Sequence, residues 1–287
     1  MPRLRSDATT SARMSSRSCS YRSITSGWAR SRGRGASTAA ARTALLWIAA
    51  AAIGLAVWSF LAWWYGPTTI ASPAEVWTAA KELAESGVLW TSIWASAQRI
   101  LIGWSLGVVI GAPIGILMGR VNIVRQLLDP YIEFFRFIPP IAFVTLAVVW
   151  FGIGETSKVV LIFYTSVFIV TVSTIAATVS ISDNKLQAAA NLGAGKLQLM
   201  KTVVLPSSVP GIITGARLAM GNSFLTIVSA EIVAADHGIG SMIWQARNYG
   251  RIDWTFVGII VLGIMGFVFD RILRLLSTRY LARYGVK

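Results

Sequence analysis

Apolar stretches of eighteen or more residues recur along this chain, and each is long enough to cross about 30 Å of hydrocarbon as a helix. In lipid every backbone N–H and C=O must be paired within its own segment, so such stretches fold as α-helices. About six spans are expected, over residues 43–64, 100–119, 141–151, 158–181, 210–234 and 254–276. The third is short and headed by Pro139-Pro140, which implies that part of 131–137 also lies in the membrane. Only 13% of the 287 residues are charged, against about 25% in average globular chains. Mean hydropathy is +0.63. The fold class is therefore an all-α membrane protein.

A formal net charge of +14 suggests a nucleic-acid partner until its placement is considered. Nine of the 26 Lys and Arg precede residue 43, and five follow residue 270. With both termini placed in the cytoplasm, cytoplasmic segments carry twenty, counting Arg120, Arg125 and Arg136 in one connector. The outer segments carry five (Lys81, Arg99, Lys158, Arg247, Arg251), and Arg217 lies inside the fifth span. That asymmetry is the positive-inside pattern of a multi-pass membrane protein. No basic patch interleaved with aromatics is present, so nucleic acid is not an expected partner; the lipid bilayer is. The single Cys19 and single His237 leave no disulfide framework and no histidine-rich metal site.

Residues 1–42 are mostly Ser, Thr, Arg, Ala and Gly, with too little apolar surface to build a core, and read as a disordered basic tail. Residues 43–287 form the transmembrane domain. Between the first two spans, Ser72-Pro73-Ala74-Glu75 carries the cap and start of an amphipathic external helix. The second span has Gly103, Gly107, Gly111, Gly115 and Gly119, one glycine every four residues. Four residues advance a helix by about 400°, so the five lie on one slowly drifting stripe suited to close helix approach. Packing within the chain is the simpler expectation; a contact with a second copy is the alternative.

Residues 183–206 form a polar island between the fourth and fifth spans, on the side that the charge pattern makes cytoplasmic. Gln187, Ala188, Ala189 and Ala190 open it with small, strongly helix-forming residues. Gly193 permits close approach or a left-handed turn. Val203, Val204, Leu205 and Pro206 close it, and Pro206 is expected to stop the helix before the chain re-enters the bilayer. Gly193-Ala-Gly195-Lys196 is not a phosphate-binding loop, because Ala190 and Leu197 stand where Gly and Ser or Thr are needed.

This island resembles the "EAA" cytoplasmic loop of ABC-importer permeases, in which Glu-Ala-Ala is followed by Gly, nine residues, an aliphatic, one residue, then Leu-Pro. The spacing from Gly193 to Leu205-Pro206 matches, and Gln187 stands in place of Glu. A neutral amide there gives a hydrogen bond roughly half as strong as a charge-assisted one. The likeness extends from about Val88 to Ala282 and is closest to the nitrate, taurine, sulfonate and bicarbonate branch. It is carried by Ser96-Ala-Gln-Arg99, Arg136-Phe-Ile-Pro-Pro-Ile-Ala142, Trp150-Phe-Gly-Ile-Gly-Glu155, Gly215-Ala-Arg217-Leu, Ala230-Glu231 and Gly238-Ile-Gly240.

The resemblance implies a type I importer permease with a cytoplasmic coupling helix. It further implies two copies of the chain, two separate ATPase subunits that hold the ATP, and an extracytoplasmic substrate-binding protein. It assigns Gln187, Ala188, Ala189, Gly193, Val203, Leu205 and Pro206 to ATPase coupling. No catalytic residue, metal or cofactor of this chain's own is expected. A small anion such as a sulfonate, nitrate or bicarbonate is the expected substrate, with a neutral nitrogenous compound or vitamin precursor as the alternative. An ion-coupled secondary carrier would need inverted repeats, and none is visible.

Four residues are candidates for the substrate pathway. Arg217 and Glu231 lie fourteen positions apart on the fifth span, about 21 Å along the axis and about 40° off one face. Ionisable groups in a span are presumptively functional. Asn222 adds a polar group at mid-depth, and Trp244 stands in the external loop beside Gly238-Ile-Gly240.

Overall fold

The computed structural model describes residues 25–234 and 236–281. Among the described residues the chain is helical throughout, with no strand. The helices are α1 (Thr25–Tyr65), α2 (Pro73–Glu85), α3 (Val88–Arg120), α4 (Asn122–Arg136), α5 (Pro140–Phe151) and α6 (Glu155–Val179). They continue as α7 (Asp183–Asn191), α8 (Lys196–Leu199), a π-helical turn (Met200–Val204), α9 (Leu205–Ala234), α10 (Ile239–Asn248) and α11 (Ile252–Leu281). The chain divides into two compact units, residues 1–57 and 58–287. The expected tail boundary at residue 42 falls inside α1, and residues 1–24 lie outside the described residues.

Among the described residues, five helical stretches are long and apolar enough to cross a membrane: residues 45–65 of α1, then α3, α6, the stretch from α8 to α9, and α11. The sixth crossing is a bent pair, α4 and α5, which meet at 99°. At about 1.5 Å per residue the twelve residues of α5 reach only about 18 Å, too short to span alone. The glycine stripe shows why the pair must nevertheless return across the membrane. A Cβ on Gly107 would lie 2.4 Å from Ser166 Cβ, one on Gly115 2.6 Å from Thr174 Cβ, and one on Gly119 2.6 Å from Thr178 Cβ. Each step of four on α3 meets a step of four on α6, so the two helices run parallel in near backbone contact. Two parallel spans require a crossing between them, and α4–α5 supplies it. The stripe is thus used within the chain.

On its other side α6 packs antiparallel against α9. Ser166 and Ser223 hydroxyls lie 3.1 Å apart, Thr178 and Ser208 hydroxyls 3.0 Å, and a Cβ on Gly211 would meet Ala177 Cβ at 2.1 Å. Small residues and hydroxyls therefore hold this pair too, as expected where lipid removes the hydrophobic incentive for helices to associate. The apolar centre is Ile100, Ile162, Met220, Phe224, Ile227, Ile239 and Met265, drawn from α3, α6, α9, α10 and α11.

Helix α2 begins as its sequence requires. Ser72 Oγ accepts from the Glu75 N–H at 3.3 Å, the Glu75 carboxylate accepts from the Ser72 N–H at 2.7 Å, and Pro73 occupies the first turn. Its buried face (Val76, Ala79, Leu83) packs with Val257 of α11. Arg251, just ahead of α11, reaches back to Glu82 at 2.7 Å.

Candidate functional site

At one end of the bundle, residues 183–206 form a helical hairpin. Helix α7 stops through a Schellman motif: the Gly193 N–H donates to Ala190 O at 2.9 Å and the Ala194 N–H to Ala189 O at 3.1 Å. Gly193 takes φ +85°, and a Cβ there would meet nothing within 4 Å. Of the two uses open to Gly193, the structure shows the left-handed turn rather than a close approach.

Leu186 anchors the hairpin against Ile181 and Val204, with Val203 half-buried beside them. Gln187, Ala188 and Leu205 are exposed, and Ala189 is half-buried. Leu192 and Leu197, at 89% and 69% exposure, present large apolar side chains on either side of the Gly193 turn, and Leu205 is exposed at the hairpin's end.

Pro206 does not stop the helix, contrary to the expectation from sequence. The chain stays helical from Lys196 to Ala234 through the π turn, in which the Leu205 N–H donates to Met200 O, five residues back. A proline inside an α-helix loses one hydrogen bond and crowds the carbonyl four residues earlier. The wider turn immediately ahead of Pro206 makes room for both defects.

At the opposite end, α3, α6, α9 and the loop entering α10 converge on buried charges. Glu231 is 1% exposed and fully engaged. Its Oε1 accepts from Ser96 Oγ at 2.7 Å and from Arg99 Nη1 at 2.6 Å, while its Oε2 accepts from the Gly240 N–H at 2.8 Å. Arg99 also donates through Nε and Nη2 to the Glu155 carboxylate, and to the His237 carbonyl at 2.6 Å. Lys158 pairs with Glu155 at 3.0 Å.

The loop is shaped to fit. A Cβ on Gly238, whose φ is +142°, would fall 2.4 Å from the Glu231 carboxyl carbon. Arg99, Lys158 and Glu231 are buried and Glu155 is exposed at the rim, so each buried charge has a partner of opposite sign where desolvation would otherwise be prohibitive. Sequence reasoning singled out Glu231 and missed its partners Ser96, Arg99, Glu155 and Lys158. One signal was available: Arg99, Glu155 and Glu231 all fall at the same end of the expected topology.

The remaining pathway candidates separate. Arg217 donates to Asp270 of α11, at 2.8 Å from Nη2 and 3.3 Å from Nε. Trp244, 38% exposed, lies on α10 with the Arg247 guanidinium 5.2 Å from its ring centroid. Asn222 lines a cavity of about 510 Å³ between the α4–α5 bend, α6 and α9. Arg136 lines the same cavity, which corrects its assignment to a cytoplasmic connector. Helix α4 carries it alongside α6: the neighbouring Phe135 O accepts from the Tyr164 hydroxyl, nine residues inside α6. Without Arg136 the segments counted as cytoplasmic still carry nineteen Lys and Arg against five in the outer ones, so the charge asymmetry stands. Among the described residues no cluster of His, Cys, Asp and Glu suited to a metal ion occurs.

Residues 111–281, and with them the hairpin, the Glu231 loop and the α4–α5 bend, match the family described as the binding-protein-dependent transport system inner membrane component. The chain belongs to that family. This permease is 36% identical over 228 residues to a probable ABC transporter permease protein of Brucella melitensis biotype 1, covering 79% of this chain and 92% of the relative. It is 39% identical over 197 residues to the taurine transport system permease protein of Escherichia coli K12, covering 69% and 72%. Further relatives are named for aliphatic sulfonates, nitrate and bicarbonate. Its fold is that of an importer permease: it superposes on a chain of the inward-facing MetNI methionine ABC transporter with TM-score 0.55 at 21% identity, covering 66% of this chain and 95% of that one.

Proposed function

We propose that this permease forms the transmembrane passage of an ATP-driven importer of a small anion, working as two copies with two separate ATPase subunits and an extracytoplasmic binding protein. The observation that carries the reading is the 183–206 hairpin. A force-transmitting contact needs a short rigid element fixed at its base, closed by a tight turn, with apolar anchors at its tip. Leu186 and Val204 fix the base, Gly193 makes the turn, and Leu192 and Leu197 stand exposed. Exposed apolar groups rimmed by polar ones mark a protein contact.

In this reading ATP is bound and hydrolysed by the partner, and this chain holds no cofactor. Gln187, Ala188 and Ala189 face the ATPase, while Val203, Leu205 and Pro206 pass its motion into α9. The hairpin lies in the cytoplasm, the side to which the Lys and Arg excess assigns it. The anion is supported by the names of the relatives. Trp244 with Arg247 is offered to the binding protein, and Asn222 to the passage, because Arg217 and Glu231 are already held by Asp270 and Arg99.

The test is a mild-detergent pull-down of the tagged chain from its native cells, with co-purifying proteins identified by mass spectrometry. An ABC ATPase recovered with the wild type and lost with Gly193→Asp is the expected result. Absence of any ATPase from the wild-type preparation would overturn the reading.

A further inference from the structure

The cavity at the α4–α5 bend has a construction that the coupling role does not use. Its α6 wall runs from Tyr164 to Ser173, the middle of that 25-residue helix, so the cavity lies at mid-depth in the bilayer. A guanidinium at such a depth is rare and faces a polar cavity or passage when it occurs. Arg136 has one such group, with side-chain exposure of 34%. Its Nη2 pairs with Glu133 at 3.0 Å, which leaves most of its five N–H donors uncommitted.

Asn222 and Ser173 line the same space, and neither side chain makes a hydrogen bond to the protein. Unpaired amide and hydroxyl groups in a membrane interior are costly unless something binds them. Pro139, Pro140 and Phe168 add apolar surface to the lining, and Tyr164 and Thr165 belong to it as well. Arg217 makes a useful contrast: it too is a guanidinium within a span, but it is held by Asp270 from a neighbouring helix.

The geometry points to this cavity as a binding site for a small oxyanion carrying a short apolar group. Arg136 takes the charge, Asn222 and Ser173 donate to the remaining oxygens, and the prolines and Phe168 receive the tail. A planar guanidinium suits an oxyanion because two parallel N–H groups address two oxygens at once. The inference rests on the importer reading for its purpose but on the cavity for its chemistry, and the two can fail separately.

The experiment uses full-length chain in lipid nanodiscs, with trifluoromethanesulfonate as the probe and its ¹⁹F line width as the readout. Saturable broadening is expected with wild type. Arg136→Gln should weaken it about tenfold or more, the scale of a hydrogen bond to a charged group. Arg136→Lys should keep part of the binding, Asn222→Ala should lose a smaller part, and Lys81→Gln, on the outer helix α2, should match wild type. Unfolding midpoints of the same preparations show whether any loss is a folding loss, and Arg136→Lys and Asn222→Ala carry the test if Arg136→Gln does not fold. No saturable broadening with wild type, full binding by Arg136→Gln, or equal binding of neutral trifluoroacetamide would overturn the proposal. If the ATPase still co-purifies in that event, the oxyanion site alone falls.

Discussion

Glu231 and Gly193 show how single residues act in opposite settings. Glu231 is buried among matched charges, so removing it leaves Arg99 with one carboxylate and Ser96 without an acceptor. Breaking one partner of a buried pair costs about 3–5 kcal/mol. Glu231→Ala should therefore lower the unfolding midpoint of the nanodisc-embedded chain markedly. The double variant Arg99→Met, Glu231→Met should recover much of the loss, because no lone charge remains buried. A double variant no more stable than Glu231→Ala would show that the cluster contributes more than charge matching. Gly193 is exposed and local. Gly193→Ala forces an L-residue to φ +85°, at a cost of about 1–2 kcal/mol. Amide exchange should accelerate over residues 188–194 while the global midpoint stays nearly unchanged. The turn was legible because only glycine takes that conformation cheaply. The companions of Glu231 were not, because they lie 132 and 135 positions away.

At the scale of elements, the α3–α6 contact should be intolerant of a single methyl. Gly107→Ala places a Cβ 2.4 Å from Ser166 Cβ, and overpacking of this kind costs about 1–3 kcal/mol. Adding Ser166→Gly should restore the midpoint by reopening the space, although it also removes the hydroxyl contact with Ser223. Failure of the rescue would mean that the backbones cannot re-seat. The α2–Arg251 contact is tied to pH instead. The Glu82 carboxyl is held below its ordinary value, first by the hydrogen bond from Arg251 and then by that from Trp254. A depressed carboxylate stabilises the folded state above its ordinary pKa, and the benefit is lost as pH falls through the lowered value. Trp254 fluorescence should therefore change on acidification below about pH 4.5 in wild type and stay flat in Glu82→Gln. The capping box of α2 and the glycine period of α3 were both readable because they are local patterns. The continuation of α9 past Pro206 was not, because the π turn that absorbs the proline leaves no compositional mark.

The two ends of the helical bundle are built differently. One end presents the hairpin, and the other is closed by the Arg99–Glu231–Glu155 cluster under the loop to α10. The proposed orientation places Gln187 in the cytoplasm and Trp244 outside. In a Cys19→Ser background, Gln187→Cys should react with an impermeant maleimide only in inside-out vesicles, and Trp244→Cys only in right-side-out ones. Reaction of both from the same side would break the six-crossing topology.

Chain length, hydropathy and charge placement determined that this is a multi-pass helical protein, and the spacing around Gly193 determined its family. Lipid forces each apolar stretch to pair its own backbone, so the elements are dictated segment by segment. Only the tertiary structure decided which charges meet. Arg136 was counted in a cytoplasmic connector and instead lines the cavity between the α4–α5 bend, α6 and α9. Arg217 and Asp270 find each other across 53 residues, and Arg99 reaches partners 56 to 138 residues away. Electrostatic pairing depends on distance in space, and in a bundle of parallel and antiparallel spans that distance is set by helix order and packing.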